Sequence, residues 1–219
     1  MWSTPIDLYC ERVTASFWAE PLNALSNIAF LIAAYAALDL WRREGKNDPV
    51  ILALIAVVAV VGLGSFAFHT IATRGAMLLD VTPIGVFIYG YFLLVLRRFL
   101  LFSWPVSLSS LVGFIALSLA LASYVPRAFL NGSSGYLPAL AALIGFGWLL
   151  RGHGAGNAML VAAGLFIGSL IFRIVDLEIC ARWPIGTHFL WHVLNAAVLY
   201  IVLRGAIAER QHPLSQERK

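Results

Sequence analysis

Long charge-poor runs constrain this chain more than any other feature. Seven of them follow one another at Leu22–Trp41, Val50–Phe68, Met77–Leu96, Pro105–Val125, Tyr136–Leu150, Gly154–Val175 and Thr187–Leu203. Hydrocarbon about 30 Å thick takes roughly 20 helical residues to cross at a rise of 1.5 Å each. Backbone groups cannot go unpaired in lipid, and the runs lack the two-residue alternation of barrel strands, so each reads as an α-helix. The expectation is an all-α polytopic membrane protein: one domain over residues 1–219, a seven-transmembrane helix bundle with an N-terminal segment at 1–21 and a tail at 205–219. Composition agrees, since 61% of residues are hydrophobic and 12% charged, with a mean hydropathy of +0.86. A soluble surface would need far more charge.

Lys and Arg set the orientation. Alternate sides of the seven runs carry ten basic residues, among them Arg42, Arg43, Lys46, Arg97, Arg98 and the tail, and five, namely Arg12, Arg74, Arg127, Arg173 and Arg182. The N-terminus is therefore expected outside and the C-terminus in the cytoplasm. The formal charge of +4 is no sign of nucleic acid, because the basic residues stand in ones and twos between apolar runs. Residues 1–20 contain Asp7, Glu11 and Glu20 and no apolar core, so no cleavable signal peptide is expected there. Short loops and an Ala-rich chain point to a bacterium, whose inner membrane would place the outer face in the periplasm. The two cysteines, Cys10 and Cys180, allow one pairing at most.

Polar residues in or beside the runs gather at one end. Ser65 and His69 close the second run, Asp80 opens the third, Arg173 and Asp176 close the sixth, and His188 and His192 open the seventh. Residues four apart share a helix face, so His188 points with His192 and Ser65 with His69. Three histidines on two helices match an open zinc site, in which three protein ligands leave a fourth position for water. Asp80, returning to the same depth through a short turn at Arg74–Gly75, would be a supporting or acid–base carboxylate. Ionisable groups within a bilayer cost about 2.5–3.5 kcal/mol each on insertion scales and are usually functional; a polar network that only pins helices is the alternative. His153 and His212 have no such companions and receive no role. Asp7, Glu11 and Glu20, with Asn23 and Asn27, form a second group, which reads equally as a solvated acidic face or as oxygen ligands for Ca²⁺.

The set Asp7, Tyr9-Cys10-Glu11, Glu20-Pro21, Ser26-Asn27, Gly64-Ser65 to His69, Asp80 and Thr187-His188 to His192 resembles the alkaline ceramidases, within the CREST group of seven-helix membrane hydrolases. The likeness runs from about Ile6 to Leu203. It implies an amidase that cleaves the amide bond of ceramide or a ceramide-like lipid, holding zinc through His69, His188 and His192. Asp80 would move protons and Ser65 would stand beside the reacting water. It also implies Ca²⁺ at Asp7, Glu11 and Glu20, although Asp7 lies three residues rather than two before the cysteine and Val13 stands where the family has Asn. A Cys10–Cys180 disulfide is implied as well, with both cysteines outside by the charge count. The same group includes receptor-like lipid binders and ester-lipid hydrolases, and these readings stay open. A transporter is disfavoured: Asp39, Arg173 and Asp176 lie near span ends and leave the middle of the bundle almost free of charge.

Overall fold

A computed structural model describes residues 2–44, 48–126 and 128–209. Lys46, Arg127, Arg210, His212, Arg218 and Lys219 lie outside these residues, and part of the charge count with them. Eight α-helices run through the described residues: α1 (Pro21–Ser26), α2 (Ile28–Arg43), α3 (Pro49–Ile71), α4 (Arg74–Leu94), α5 (Trp104–Tyr124), α6 (Leu137–Leu149), α7 (Gly154–Ile179) and α8 (His188–Glu209). α1 and α2 form one broken span, and a π-helical turn at Val95–Phe99 extends α4.

Six of these helical stretches are long and apolar enough to cross a membrane; the fifth apolar run is not among them. α6 has 13 residues, starts at Leu137-Pro138 after two short 3-10 turns, and stops ahead of Arg151 and Gly152. At 1.5 Å per residue it rises about 20 Å, short of the hydrocarbon core. The sequence run Tyr136–Leu150 is also short, so length and composition support six crossings where seven are expected.

Local chemistry sets the ends that matter. Asp48 caps α3 by accepting from the Val50 and Ile51 amides at 3.1 and 3.3 Å, with Pro49 in the first turn, where its missing N–H costs nothing. Ala72 closes α3 in the left-handed conformation (φ 47°), and Thr73 caps α4 by accepting from the Ala76 amide. The α3–α4 turn is thus Ala72-Thr73, two residues ahead of the expected Arg74–Gly75. The N-terminal segment lies across it, with Ile6 donating to the Ala72 carbonyl at 2.8 Å and the Arg74 and Gly75 amides donating to Thr4 and Trp2.

α4 approaches α3 closely because residue 64 is Gly: a Cβ there would overlap the Leu79 carbonyl. That carbonyl has no i+4 donor, since Pro83 lacks an N–H. The approach brings the Asp80 stretch of α4 against Ser65. The core between α2, α3, α7 and α8 is built mostly of small and branched residues such as Ala37, Val58 and Leu203, with Met159 among them. Trp18, Trp104, Trp148 and Trp183 are exposed near helix ends, in keeping with interfacial anchors.

Candidate metal centre

His69 on α3 and His188 and His192 on α8 are all but fully buried and meet with ring centroids 4.6–5.2 Å apart. One ligand nitrogen from each lies within 4.8 Å of the others, and this is the single convergence of three or more His, Cys, Asp or Glu among the described residues. Two ring nitrogens, His69 Nε2 and His188 Nδ1, are buried without a hydrogen-bond partner. A buried orphaned imidazole nitrogen is costly unless something fills it.

The partners on the far side of two rings settle their tautomers. Glu20 Oε2 lies 2.5 Å from His69 Nδ1, so this nitrogen carries the proton and Nε2 keeps its lone pair toward the cluster. Ser26 Oγ lies 2.7 Å from His192 Nδ1 and also 2.9 Å from the Asn23 carbonyl. A carbonyl only accepts, so the one hydroxyl proton goes to Asn23 and His192 Nδ1–H donates to Ser26. His192 Nε2 is thereby left as an acceptor, 3.5 Å from Ser65 Oγ. Carboxylate or hydroxyl behind imidazole is the arrangement that orients metal-binding histidines. The three histidines fit Zn²⁺ in ligand type, number and orphaned nitrogens.

Asp80, half-buried on the first turns of α4, faces the Ser65 hydroxyl and the His69 ring. The expected pairings within α3 and α8 and the eleven-residue return to Asp80 therefore all converge.

The acidic group is assembled differently from the expectation. Asp7 is exposed. Glu11 receives the Leu22 and Asn23 amides at 2.7 and 2.8 Å, capping α1. Burial pushes the Glu11 carboxyl up, against these two bonds. Glu20 is occupied at both oxygens: Arg12 Nε pairs with Oε1, while His69 Nδ1 and Asn23 Nδ2 share Oε2. Burial alone would push its carboxyl up, but His69, Asn23 and Arg12 together hold it below the ordinary glutamate value. Ca²⁺ takes six to eight oxygens. Among the described residues Asp7, Glu11 and Glu20 do not gather as one group of three ligands, and a guanidinium already sits against Glu20. Asn23 Oδ1 and Asn27 Oδ1 are buried without a hydrogen-bond partner beside these acids, and Glu20 belongs to the histidine site. Asn27 donates to the Asn23 carbonyl at 2.7 Å, so it serves its own helix junction.

Four residues at this end received no role from sequence. Arg12, counted only as a basic residue, is buried and also donates from Nη2 to the His69 carbonyl at 2.8 Å. Tyr9 stacks on His188 at 3.6 Å between ring centroids, and burial pushes its hydroxyl up to about 12. Asp176 accepts the Cys10, Thr187 and His188 amides at 3.0, 2.6 and 2.9 Å, capping α8 from a neighbouring helix. Gly186 (φ 63°) makes room for this, because a Cβ there would overlap the Asp176 carboxylate. Ser26 was visible only as part of a motif. Cys10 and Cys180 are bonded through their sulfurs, their Cα atoms 5.3 Å apart, beside the Asp176 cap. At the opposite end, His153 does have a partner, Glu209, at 3.5 Å.

A family profile described as Ceramidase matches residues 3–218, nearly the whole chain. No curated protein matches it.

Proposed function

The chain belongs to the ceramidase family, and from that membership we propose that it is a zinc-dependent intramembrane amidohydrolase cleaving ceramide or a ceramide-like lipid to a fatty acid and a sphingoid-type amine. The observation that carries the reading is the buried convergence of His69, His188 and His192, with two of their nitrogens orphaned and two of their rings oriented from behind. A zinc ion held there supplies Lewis acidity toward the acyl carbonyl and acidifies water. Glu20 and Ser26 hold two of the rings in the tautomer that such binding requires.

Asp80 takes the proton of the attacking water as the new C–O bond forms, and returns it to the nitrogen as the C–N bond breaks. The products are a carboxylic acid and a free amine, and no proton is gained or lost over the cycle. The Ser65 hydroxyl donates to the oxygen on which charge develops. Ser65 does not act as a covalent nucleophile in this scheme, because activated water already supplies the attacking atom. Tyr9, stacked on His188, closes one side of the site.

In this reading residues 1–219 form a single membrane domain. α6, lengthened by the turns before it, completes seven crossings, with the histidine end outside and the C-terminus cytoplasmic. In a bacterium that end faces the periplasm. The test is a hydrolysis screen of purified protein against ceramides, N-acyl amino lipids and phospholipids, before and after zinc removal and restoration. The proposal requires amide cleavage that disappears with the metal and returns with it. Ester cleavage alone, or binding with no turnover, would replace it with one of the two other readings of the superfamily.

A further inference from the structure

Behind Tyr9 lies a cavity of about 420 Å³ whose wall includes Arg173, Tyr136 and the α4 stripe Met77, Val81 and Gly85. Among the described residues Arg173 is the only charged one on that wall. Its guanidinium lies over three aromatic rings, Trp191 at 5.1 Å, Tyr9 at 5.7 Å and Tyr136 at 5.8 Å. Its one hydrogen bond among the described residues runs from Nη1 to the Tyr9 hydroxyl at 2.8 Å. Nε is buried without a partner.

Aromatic faces and a phenol soften the burial of a cation but bring no opposite charge. No carboxylate among the described residues reaches it within ion-pair distance. Asp176, one turn along α7, is taken up by three backbone amides. Asp80 attracts Arg173 from farther off, and that carboxylate has the proton to move. A guanidinium offers five donors in a planar fork matched to carboxylate and phosphate, and most of this fork is unspent.

Tyr9 is the wall this cavity shares with the histidine cluster; we infer that the cavity takes the amine half of the substrate and that Arg173 is its anion-binding end, so that this half of the preferred substrate carries a carboxylate or phosphate a few bonds from the amide nitrogen. Distance agrees with this. Tyr9 touches His188 with one face and has Arg173 over its ring, so the guanidinium stands one aromatic ring from the histidine cluster. The apolar stripe of α4 offers room for the chain. The inference rests on the amidase reading and shifts its preferred substrate from neutral ceramides to ceramide-like N-acyl lipids whose amine half is acidic.

Two matched pairs test it: N-palmitoyl glycine against N-palmitoyl ethanolamine, and ceramide phosphate against ceramide. They are assayed with wild type, Arg173→Gln and Arg173→Lys, each first checked for wild-type zinc content. The wild type should favour the anionic member by about tenfold or more in kcat/KM, and Arg173→Gln should erase that ratio through KM, with Arg173→Lys between the two. Binding of dodecyl phosphate and dodecanol, followed by tryptophan fluorescence, reads the same ratio without turnover. Equal ratios in wild type and Arg173→Gln, or a wild-type preference for the neutral lipids, would overturn the inference while leaving the amidase standing. A phosphate preference in binding that Arg173→Gln removes, with no amide cleaved by any form, would uphold the anion site and sink the amidase reading.

Discussion

The two ends of the bundle differ in how much of their contact is polar. At the histidine end, α1, α3, α7, α8 and the N-terminal segment meet through buried polar groups: Arg12 with Glu20 and His69, Ser26 with His192, Asp176 with Cys10 and His188. At the other end α7 and α8 pack on small residues, and the charges there, Asp48 with Arg98 and Glu209 with His153 and the Ala155 amide, serve helix ends. Gly205 lies so close to α7 that a Cβ would come within 2.6 Å of Ala158, and Gly156 packs on Leu150. Close packing of small residues is how helices associate in lipid, and it places no atom for chemistry. The polar end costs desolvation and returns geometry. The difference teaches where to look for function: where a membrane protein buries charge it could have left out, the charge is positioned for use.

If that division is right, damage at the two ends should differ in kind. The largest effect belongs to Asp80→Asn, which keeps the shape and loses the ability to accept a proton: turnover should fall by about 10²–10⁴ with zinc content unchanged. Near-normal rates would make Asp80 a structural hydrogen bonder. Glu20→Gln should come next, weakening zinc affinity by about 10–100-fold in a competition titration, because the amide holds His69 with a weaker and ambiguous hydrogen bond. An unchanged affinity would break the link between the N-terminal segment and the metal.

The sequence showed some of this and hid the rest, for physical reasons. His188 and His192, or Ser65 and His69, are related by helix periodicity alone, so their shared faces can be read without a fold. The return to Asp80 was readable because only a short turn separates two apolar runs. Glu20 was not, since the partner of a carboxylate depends on where the N-terminal segment docks, and that is decided by contacts such as Ile6 with Ala72 and by the Arg12 guanidinium. Asp176 looked like a charge at a span end; its use as a cap for α8 appears only once α7 and α8 are side by side. The shortness of α6 was legible from its residue count, while its apolar composition reads as a span.

Gly205→Ala provides the converse test. The added methyl should push α7 from α8 and cost about 1–3 kcal/mol of stability, read from denaturant unfolding. Zinc per folded chain should not change. Loss of zinc in parallel with stability would mean that the two ends are one cooperative unit. The smallest effect concerns calcium: with Arg12 paired to Glu20, millimolar Ca²⁺ or a calcium chelator should shift neither thermal stability nor rate by more than about twofold. A saturable Ca²⁺-dependent rise in stability would show that the acidic residues rearrange around the ion.

The central claim is that three buried histidines form a metal site, and zinc per chain measures it most directly. Elemental analysis of purified wild-type protein should give one zinc per chain, and the His188→Ala, His192→Ala double variant should give none, since a single remaining ligand holds zinc too weakly to survive purification. Stoichiometric zinc in the double variant would contradict the account.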